Sequence, residues 1–230
     1  MLGLESVRDG IRRAASSCGR AAGEVTLMAV SKTHPYEAVM EAYAMGQRLF
    51  GENRVQELAS KFPPPGQRPE GMTVCLIGHL QRNKAAKAVQ IADRIDSVDS
   101  TGLMDELEKR LAPADRVLDI LFEVNSSGEA QKSGFTCEEE LMAALEHLSL
   151  TPHLRLAGLM TVGPLGGDED RTRKAFAWTR SLYDRIRAMG YDLHVLSMGM
   201  SGDYVTAIEE GSTEVRIGTA IFGQRDYGNG

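Results

Sequence analysis

The sequence has little cysteine and no long apolar run. Its 230 residues include only three cysteines, Cys18, Cys75 and Cys137, which are widely separated and odd in number. This usage argues against a disulfide framework and against a metal site built on paired cysteines, and it is typical of the reducing cytoplasm, where we expect the protein to act. No apolar stretch approaches membrane-spanning length, and charged residues occupy the first turns, so we expect neither a membrane anchor nor an export signal.

Positive charge is also scarce. The chain carries 26 lysines and arginines against 32 acidic residues, for a net charge of -6, and it has no long basic stripe. This balance argues against a protein that binds nucleic acid electrostatically. The small cluster of Arg82, Lys84 and Lys87 is interpreted as one solvated helix face.

The composition predicts one domain with a sizeable core. Apolar residues make up 42% of the chain and charged residues 25%, and no long shift in composition divides it. We therefore expect a single domain over residues 1–230. The segment 63–71, rich in proline and glycine, is interpreted as a loop inside that domain because the surrounding pattern resumes unchanged.

The pattern of apolar residues predicts an α/β fold. Helical spacing from Leu4 to Cys18 predicts an additional N-terminal helix that stops near Gly19. Eight apolar, β-rich runs then alternate with helical patterns. Strict alternation favours parallel strands with right-handed crossovers, and eight units at this length predict a closed (β/α)8 TIM barrel, with an open doubly wound sheet as the alternative. The predicted strands are 25–31, 47–50, 72–78, 94–98, 117–125, 154–161, 193–197 and 213–217.

Two of the intervening helices have clear end signals. Thr136-Cys-Glu-Glu139 is typical of a capping box at the start of a helix. An apolar stripe from Phe176 to Met189 stops at Gly190, where a left-handed residue is expected to end the helix.

Lys32 is the first candidate functional residue. It ends the apolar run that begins at Val25, so it is predicted to lie at the tip of a buried strand, where barrels and doubly wound sheets place their chemistry. The alternative is an ordinary solvated lysine in a loop between strand and helix.

Small residues at the last two strands suggest an anion site. The stretch from Leu196 to Asp203 contains Ser197 and Ser201 and precedes a helical pattern, so its backbone N–H groups and hydroxyls could hold a phosphate. An ordinary helix cap formed by Ser201 explains this stretch equally well. Gly218 and Thr219 follow the eighth strand, beside the same place, where barrels commonly bind phosphate.

Arg216 lies within the predicted eighth strand, where a buried guanidinium needs acceptors. A structural ion pair with Glu52 is one explanation, and a ligand nitrogen is the other. A lysine able to form a Schiff base, a phosphate cradle and an arginine for a ring nitrogen together indicate a pyridoxal 5'-phosphate site.

These residues belong to segments by which the chain resembles the pyridoxal phosphate homeostasis proteins of the YggS/PROSC family. The resemblance implies a barrel like the N-terminal domain of alanine racemase and a fold type III cofactor site. The matching segments are Ala29-Val-Ser-Lys32, Phe50-Gly-Glu-Asn53, Gln56-Glu57, Ile77-Gly-His-Leu-Gln81, Asn83-Lys84, Lys132-Ser-Gly134, Gly158-Leu-Met160, Leu196-Ser-Met-Gly-Met-Ser201 and Val215 to Tyr227.

The resemblance also implies roles for single residues. Lys32 would hold the cofactor as an internal aldimine, and Arg216 would face the pyridine nitrogen. The phosphate would be held by Ser201, Gly218 and Thr219. The further candidate contacts are Asn53, Ser197, Gly199, Met200, His79 and Lys132.

Several of these further candidates have ordinary explanations. Asn53 could equally cap the helix that follows it. His79 could be a structural histidine, and Lys132 an exposed loop residue. The chain also departs from the family where Val74 and Cys75 replace its usual Trp-His pair, which leaves any role of that pair in this chain open.

The resemblance implies a cofactor carrier in vitamin B6 and amino-acid homeostasis rather than an enzyme. Alanine racemase completes its site with a tyrosine from a further domain of the partner subunit, and this chain ends soon after Tyr227. The alternative is an amino-acid racemase or related enzyme that uses Lys32 with Tyr204, His79 or another group as second base. A less favoured reading is an aldolase-like barrel without the cofactor. We expect a monomer that hands the cofactor to recipient apoenzymes.

Overall fold

The predicted barrel is present and it is closed. The computed structural model describes residues 3–129, 131–166 and 168–223. Its eight strands are all parallel and pair in sequence order, and β1 pairs with β8 through Met28 opposite Arg216. This pairing excludes the open sheet. The strands are β1 Thr26–Val30, β2 Leu49–Glu52, β3 Thr73–Leu76, β4 Arg94–Val98, β5 Leu118–Val124, β6 Leu154–Thr161, β7 Val195–Ser197 and β8 Glu214–Ile217.

Helices connect the strands on the outside of the barrel. The expected N-terminal helix, α1, precedes the first strand and ends where Gly19 adopts a φ of 75°. None of the described helices is long and apolar enough to cross a membrane. The helices are α1 Leu4–Ser17, α2 Tyr36–Ala44, α3 Val55–Lys61, α4 Ala85–Ile91, α5 Thr101–Leu111, α6 Glu138–His147, α7 Glu169–Ala188, α8 Tyr204–Glu209 and α9 Thr219–Phe222.

The apolar core lies mainly between the strands and this ring of helices. A second, smaller apolar cluster of Leu121, Ala157, Met160 and Val195 is separate from it. Gly158 lies in β6 beside β7, and a Cβ atom there would come within 1.7 Å of the Val195 carbonyl oxygen. A glycine is therefore required at this point of close approach between neighbouring strands.

A buried ion-pair cluster also joins two strands that are distant in the chain. Arg94 of β4 donates to Asp96 Oδ1 at 2.6 Å and to both carboxylate oxygens of Glu214, in β8, at 2.8 Å. Burial raises the pKa of Asp96 and penalises its charge, while Arg94 favours the ionised form. Because Arg94 bridges both carboxylates, the cluster ties opposite parts of the barrel together.

The sequence located the elements better than their ends. Strand β2 continues two residues beyond its predicted end at Phe50, which makes Glu52 a strand residue. The predicted capping box, with Thr136 as N-cap and Glu139 as its partner, lies one residue away from the observed helix start. Cys137 is the N-cap of α6, and Glu140 accepts from the Thr136 N–H and hydroxyl at 2.9 Å. Gly190 follows α7 with a φ of 98°, as predicted.

Candidate functional site

A cavity of about 260 Å³ opens among the loops that follow the carboxyl ends of the strands. It brings together residues from opposite ends of the chain because β1 and β8 are neighbours in the closed barrel. Seven of the predicted site residues line it: Lys32, Asn53, Met200, Ser201, Arg216, Gly218 and Thr219.

Lys32 lies two residues beyond the end of β1 at Val30 and is half-buried at the cavity wall. Its neighbour Thr33 also lines the cavity and has a φ of 67°, a conformation that a β-branched side chain rarely adopts. The Thr33 hydroxyl donates to the Lys32 carbonyl oxygen at 2.5 Å. The residue that carries the amine is therefore followed directly by a residue in a rare backbone conformation.

Arg216 is buried, and its guanidinium is held by acceptors from β6 and β7. It donates to the carbonyl and hydroxyl oxygens of Ser197 at 2.8 and 2.7 Å, and to the Thr161 carbonyl at 2.7 Å. The alternative of an ion pair with Glu52 is wrong, because Glu52 bonds to Ser31 and Lys61 instead. These bonds leave N–H donors of Arg216 for a further acceptor in the cavity.

The charge of Arg216 is affected by two opposed influences. Burial lowers the pKa of the guanidinium, whereas nearby carboxylates, with Glu214 first and Asp96 next, favour the charged form. The ordinary pKa of an arginine guanidinium is so far above neutral pH that Arg216 stays protonated. The cavity therefore has a fixed positive group in one wall.

The turn after β7 is shaped by Gly199 and Asp203. Gly199 has a φ of 94°, and a Cβ atom there would lie 2.6 Å from the Ala207 Cβ, so only glycine lets this turn pack on α8. The Met200 N–H donates to Asp203 Oδ1 at 2.6 Å. The predicted alternative of a Ser201 cap is wrong, because Asp203 occupies the N-cap position of α8.

A second turn, after β8, forms the adjoining part of the wall. Gly218 is the N-cap of α9, and Thr219 is its first residue. A Cβ atom on Gly218 would meet the Val30 carbonyl oxygen at 3.0 Å, so a side chain here would crowd β1. Both turns meet at the cavity, as the sequence predicted.

Asn53 follows β2 and presents an amide to the cavity. Its alternative role as a helix cap is wrong, since Arg54 holds the N-cap position of α3. The side-chain oxygen of Asn53 is buried and has no hydrogen-bond partner within the described part of the chain. A buried acceptor in this state is costly unless a ligand or water donates to it.

Four predicted contacts lie outside the cavity lining. Ser197 is fully buried and serves as an acceptor for Arg216, while Gly199 shapes the turn. His79 Nδ1 is 3.1 Å from Asp99 Oδ2. Lys132 donates to the Gly163 carbonyl at 2.8 Å and pairs with Glu129 at 2.9 Å.

The positions where the family usually has Trp-His are also away from the cavity lining. Val74 is buried in the main apolar core. Cys75 is fully buried, and burial raises the pKa of its thiol. The replacement therefore changes packing in the described structure rather than the cavity wall.

Six residues of the cavity lining are not among the predicted site residues. His34 stacks on Phe222 with ring centroids 5.2 Å apart, and its neighbour Thr33 carries the positive φ. No periodic pattern marks such loop residues as site residues. The six residues are Val30, Thr33, His34, Ile77, Val162 and Gly202.

The arrangement suits a small anionic carbonyl compound. A primary amine can attack a carbonyl carbon, the hydroxyls of Ser201 and Thr219 can donate to an anion, and Arg216 can donate to a neutral acceptor. Neither Tyr204 nor His79, the predicted second bases, lines the cavity. Tyr227 lies outside the described residues.

Comparison with known proteins identifies relatives over nearly the whole chain. Residues 4–226 match the family model described as the alanine racemase N-terminal domain. The pyridoxal phosphate homeostasis protein of Vibrio alginolyticus is 41% identical over 229 residues, which cover 97% of both chains.

Two solved structures are similar in both fold and sequence. A protein from Bifidobacterium adolescentis, described as unknown, has a TM-score of 0.88 and 37% identity over 95% of this chain and 92% of its own. PipY of Synechococcus elongatus, in a structure described as having PLP bound, has a TM-score of 0.77 and 38% identity over 93% of this chain and 99% of its own.

Proposed function

Because this chain belongs to the family of pyridoxal phosphate homeostasis proteins, we propose that it binds pyridoxal 5'-phosphate in the cavity around Lys32 and acts in vitamin B6 and amino-acid homeostasis. The observation that carries the proposal is the convergence of Lys32, Arg216, Ser201 and Thr219 on one cavity. The PLP-bound structure of PipY supports the same choice of ligand.

The residues of the cavity fit this cofactor. The orphaned Asn53 oxygen can accept a hydrogen bond from a ligand hydroxyl, and Arg216 can donate to the ring nitrogen. The hydroxyls of Ser201 and Thr219 can donate to the phosphate. When bound, the cofactor supplies an aldehyde for the lysine amine and a ring that can withdraw electrons.

The site supports binding and release better than turnover. An arginine beside the ring nitrogen donates a hydrogen bond to it and disfavours its protonation, which weakens the ring as an electron sink. The two side chains considered as second bases, Tyr204 and His79, are not among the cavity-lining residues. Cofactor storage and transfer require only a reversible bond to Lys32 and an accessible mouth.

The first test is a visible absorption spectrum of the purified protein before and after addition of pyridoxal phosphate. We expect a new absorption band that borohydride reduction fixes covalently on Lys32, as located by peptide mass mapping, because this lysine lines the cavity with Arg216. Labelling scattered over exposed lysines, or no band at all, would overturn the proposed site.

A racemase activity remains the alternative, and His34 is the observation that favours it. This imidazole lines the same cavity as Lys32 and could act as a second base. We expect the cofactor-loaded protein to show no sustained exchange of an amino acid's α-proton with deuterated water, measured by NMR. Sustained exchange that His34→Gln lowers at least tenfold would support the enzyme instead.

We also propose the protein's domain organisation, oligomeric state, location and partners. Residues 1–230 would form one cofactor-binding domain, a monomer that acts in the cytoplasm and passes the cofactor to recipient apoenzymes. The family match from 4 to 226 supports the single domain.

A further inference from the structure

A buried charged cluster lies behind the tip of β1, on the side of α3. We call it the Lys61 cluster: Lys61, Glu52, Glu57 and Ser31. The Lys61 ammonium, on a side chain only 7% exposed, lies 2.6 Å from Glu52 Oε1 and 3.0 Å from Glu57 Oε1. Glu52 is fully buried, and it also accepts from the Ser31 hydroxyl at 2.7 Å.

The Lys61 cluster places charged groups where α3 packs against the barrel, and burial of these charges costs free energy. Burial raises the pKa of Glu52, so the structure penalises its charge, and its second carboxylate oxygen has no partner among the described residues. The neighbouring residues of α3, Val55 and Leu58, pack in the ordinary apolar way. A buried ion pair in such surroundings is often no more stabilising than apolar residues of similar size. Its presence therefore calls for a role other than stability.

The contacts of the cluster point to that role. Lys61 donates to the carbonyl oxygen of Ser31 at 2.8 Å, and Glu57 accepts from the backbone N–H of Thr33. Ser31 and Thr33 are the residues immediately before and after Lys32. The cluster thus holds the backbone on both sides of the amine-bearing residue.

Thr33 is the strained residue that the cluster contacts. A threonine at a φ of 67° is unfavourable and persists only where its surroundings determine it. Glu57 supplies the acceptor for the N–H of this residue. If Glu57 is lost, Thr33 is free to relax to a negative φ, which would turn the backbone that carries Lys32.

We propose that Glu57 and Lys61 are positioning residues, which set the direction of the Lys32 side chain through Ser31 and Thr33. This inference rests on the proposed function, because it concerns the same cavity. Neither residue lines the cavity. They act through the backbone and not on the ligand.

Substitution of Glu57 tests the proposal. We expect Glu57→Ala to weaken pyridoxal phosphate binding roughly tenfold, the scale set by the strain at one such backbone position. Glu57→Gln retains an amide oxygen as acceptor and should bind nearly as well as the wild type. The matched control is Glu106→Ala, which removes an exposed helical contact to Arg110 at 2.7 Å and should change nothing.

A second substitution separates positioning from a loss of folding. Glycine tolerates a positive φ without strain, so in a Thr33→Gly background the loss caused by Glu57→Ala should shrink to less than about threefold. Equal losses in both backgrounds would overturn the proposal, as would wild-type affinity in Glu57→Ala.

A measurement on the cofactor-free protein keeps this inference distinct from the proposed function. Amide hydrogen exchange at Thr33 should be faster in Glu57→Ala and unchanged in Glu106→Ala. Unchanged exchange in Glu57→Ala would count against the positioning role, whatever the ligand is. If exchange is faster but the wild type forms no adduct at Lys32, the proposed function fails while the backbone role stands.

Discussion

Lys32→Ala is expected to abolish covalent binding of pyridoxal phosphate and to weaken its overall affinity on the order of 100-fold, or about 2.7 kcal/mol. The phosphate and ring contacts would remain, because Ser201 follows β7, Arg216 lies in β8 and Thr219 begins α9. Absorbance titration would measure the affinity, and borohydride reduction with mass spectrometry would detect the adduct.

Two further variants sharpen the result for Lys32. Lys32→Arg retains the positive charge but replaces the amine with a guanidinium, which is not expected to form the covalent bond, so it should also show no adduct. Lys109→Ala, which removes an exposed lysine in the last turn of α5, should behave as the wild type. A covalent adduct that survives in Lys32→Ala would show that another lysine holds the cofactor.

The barrel and the strand-tip lysine could be predicted because both depend on local patterns. All eight predicted strands are present, since each is a short apolar run that the alternation of elements separates from its neighbours. Lys32 and Arg216 then come together because β1 and β8 are neighbours in a closed barrel. Closure follows from the number of units and the handedness of their crossovers.

The partners of buried polar groups could not be predicted in the same way. Charge alone suggests that Glu52 pairs with Arg216. Successive side chains of a strand point to opposite faces, so charge does not show which face each side chain occupies. The side chain of Glu52 instead meets Ser31 and Lys61. The true acceptors of Arg216 include backbone carbonyl oxygens, which every residue has and which therefore leave no sequence signal.

Loop conformations are the second feature that could not be predicted from the sequence. The family motifs predict His79 and Lys132 as site residues, yet each bonds to a loop residue away from the cavity lining. The positive φ of Thr33 has no local sequence signal, and the N–H of this residue donates to Glu57, 24 residues further along the chain. Such contacts depend on how each loop packs against its neighbours after the barrel has formed.

Arg216→Met is expected to destabilise the cofactor-free protein by about 3 to 5 kcal/mol, the usual cost of removing one partner from a buried charged network. It would leave the oxygens of Ser197 and Thr161 without their donor and would remove a positive charge that lies near Glu214 and Asp96. Urea unfolding followed by circular dichroism would measure the change in the free energy of unfolding.

The matched control for Arg216 is Arg155→Met. Arg155 pairs with Asp119 through a side chain that is 69% exposed, so its loss should cost less than about 1 kcal/mol. Arg216→Lys should fall between the two, because an ammonium keeps the charge but cannot reach Ser197 and Thr161 with the same fork of donors. If Arg216→Met were as stable as Arg155→Met, the guanidinium would not be needed to satisfy its protein acceptors. Its position in the cavity would then have to be explained by the ligand alone.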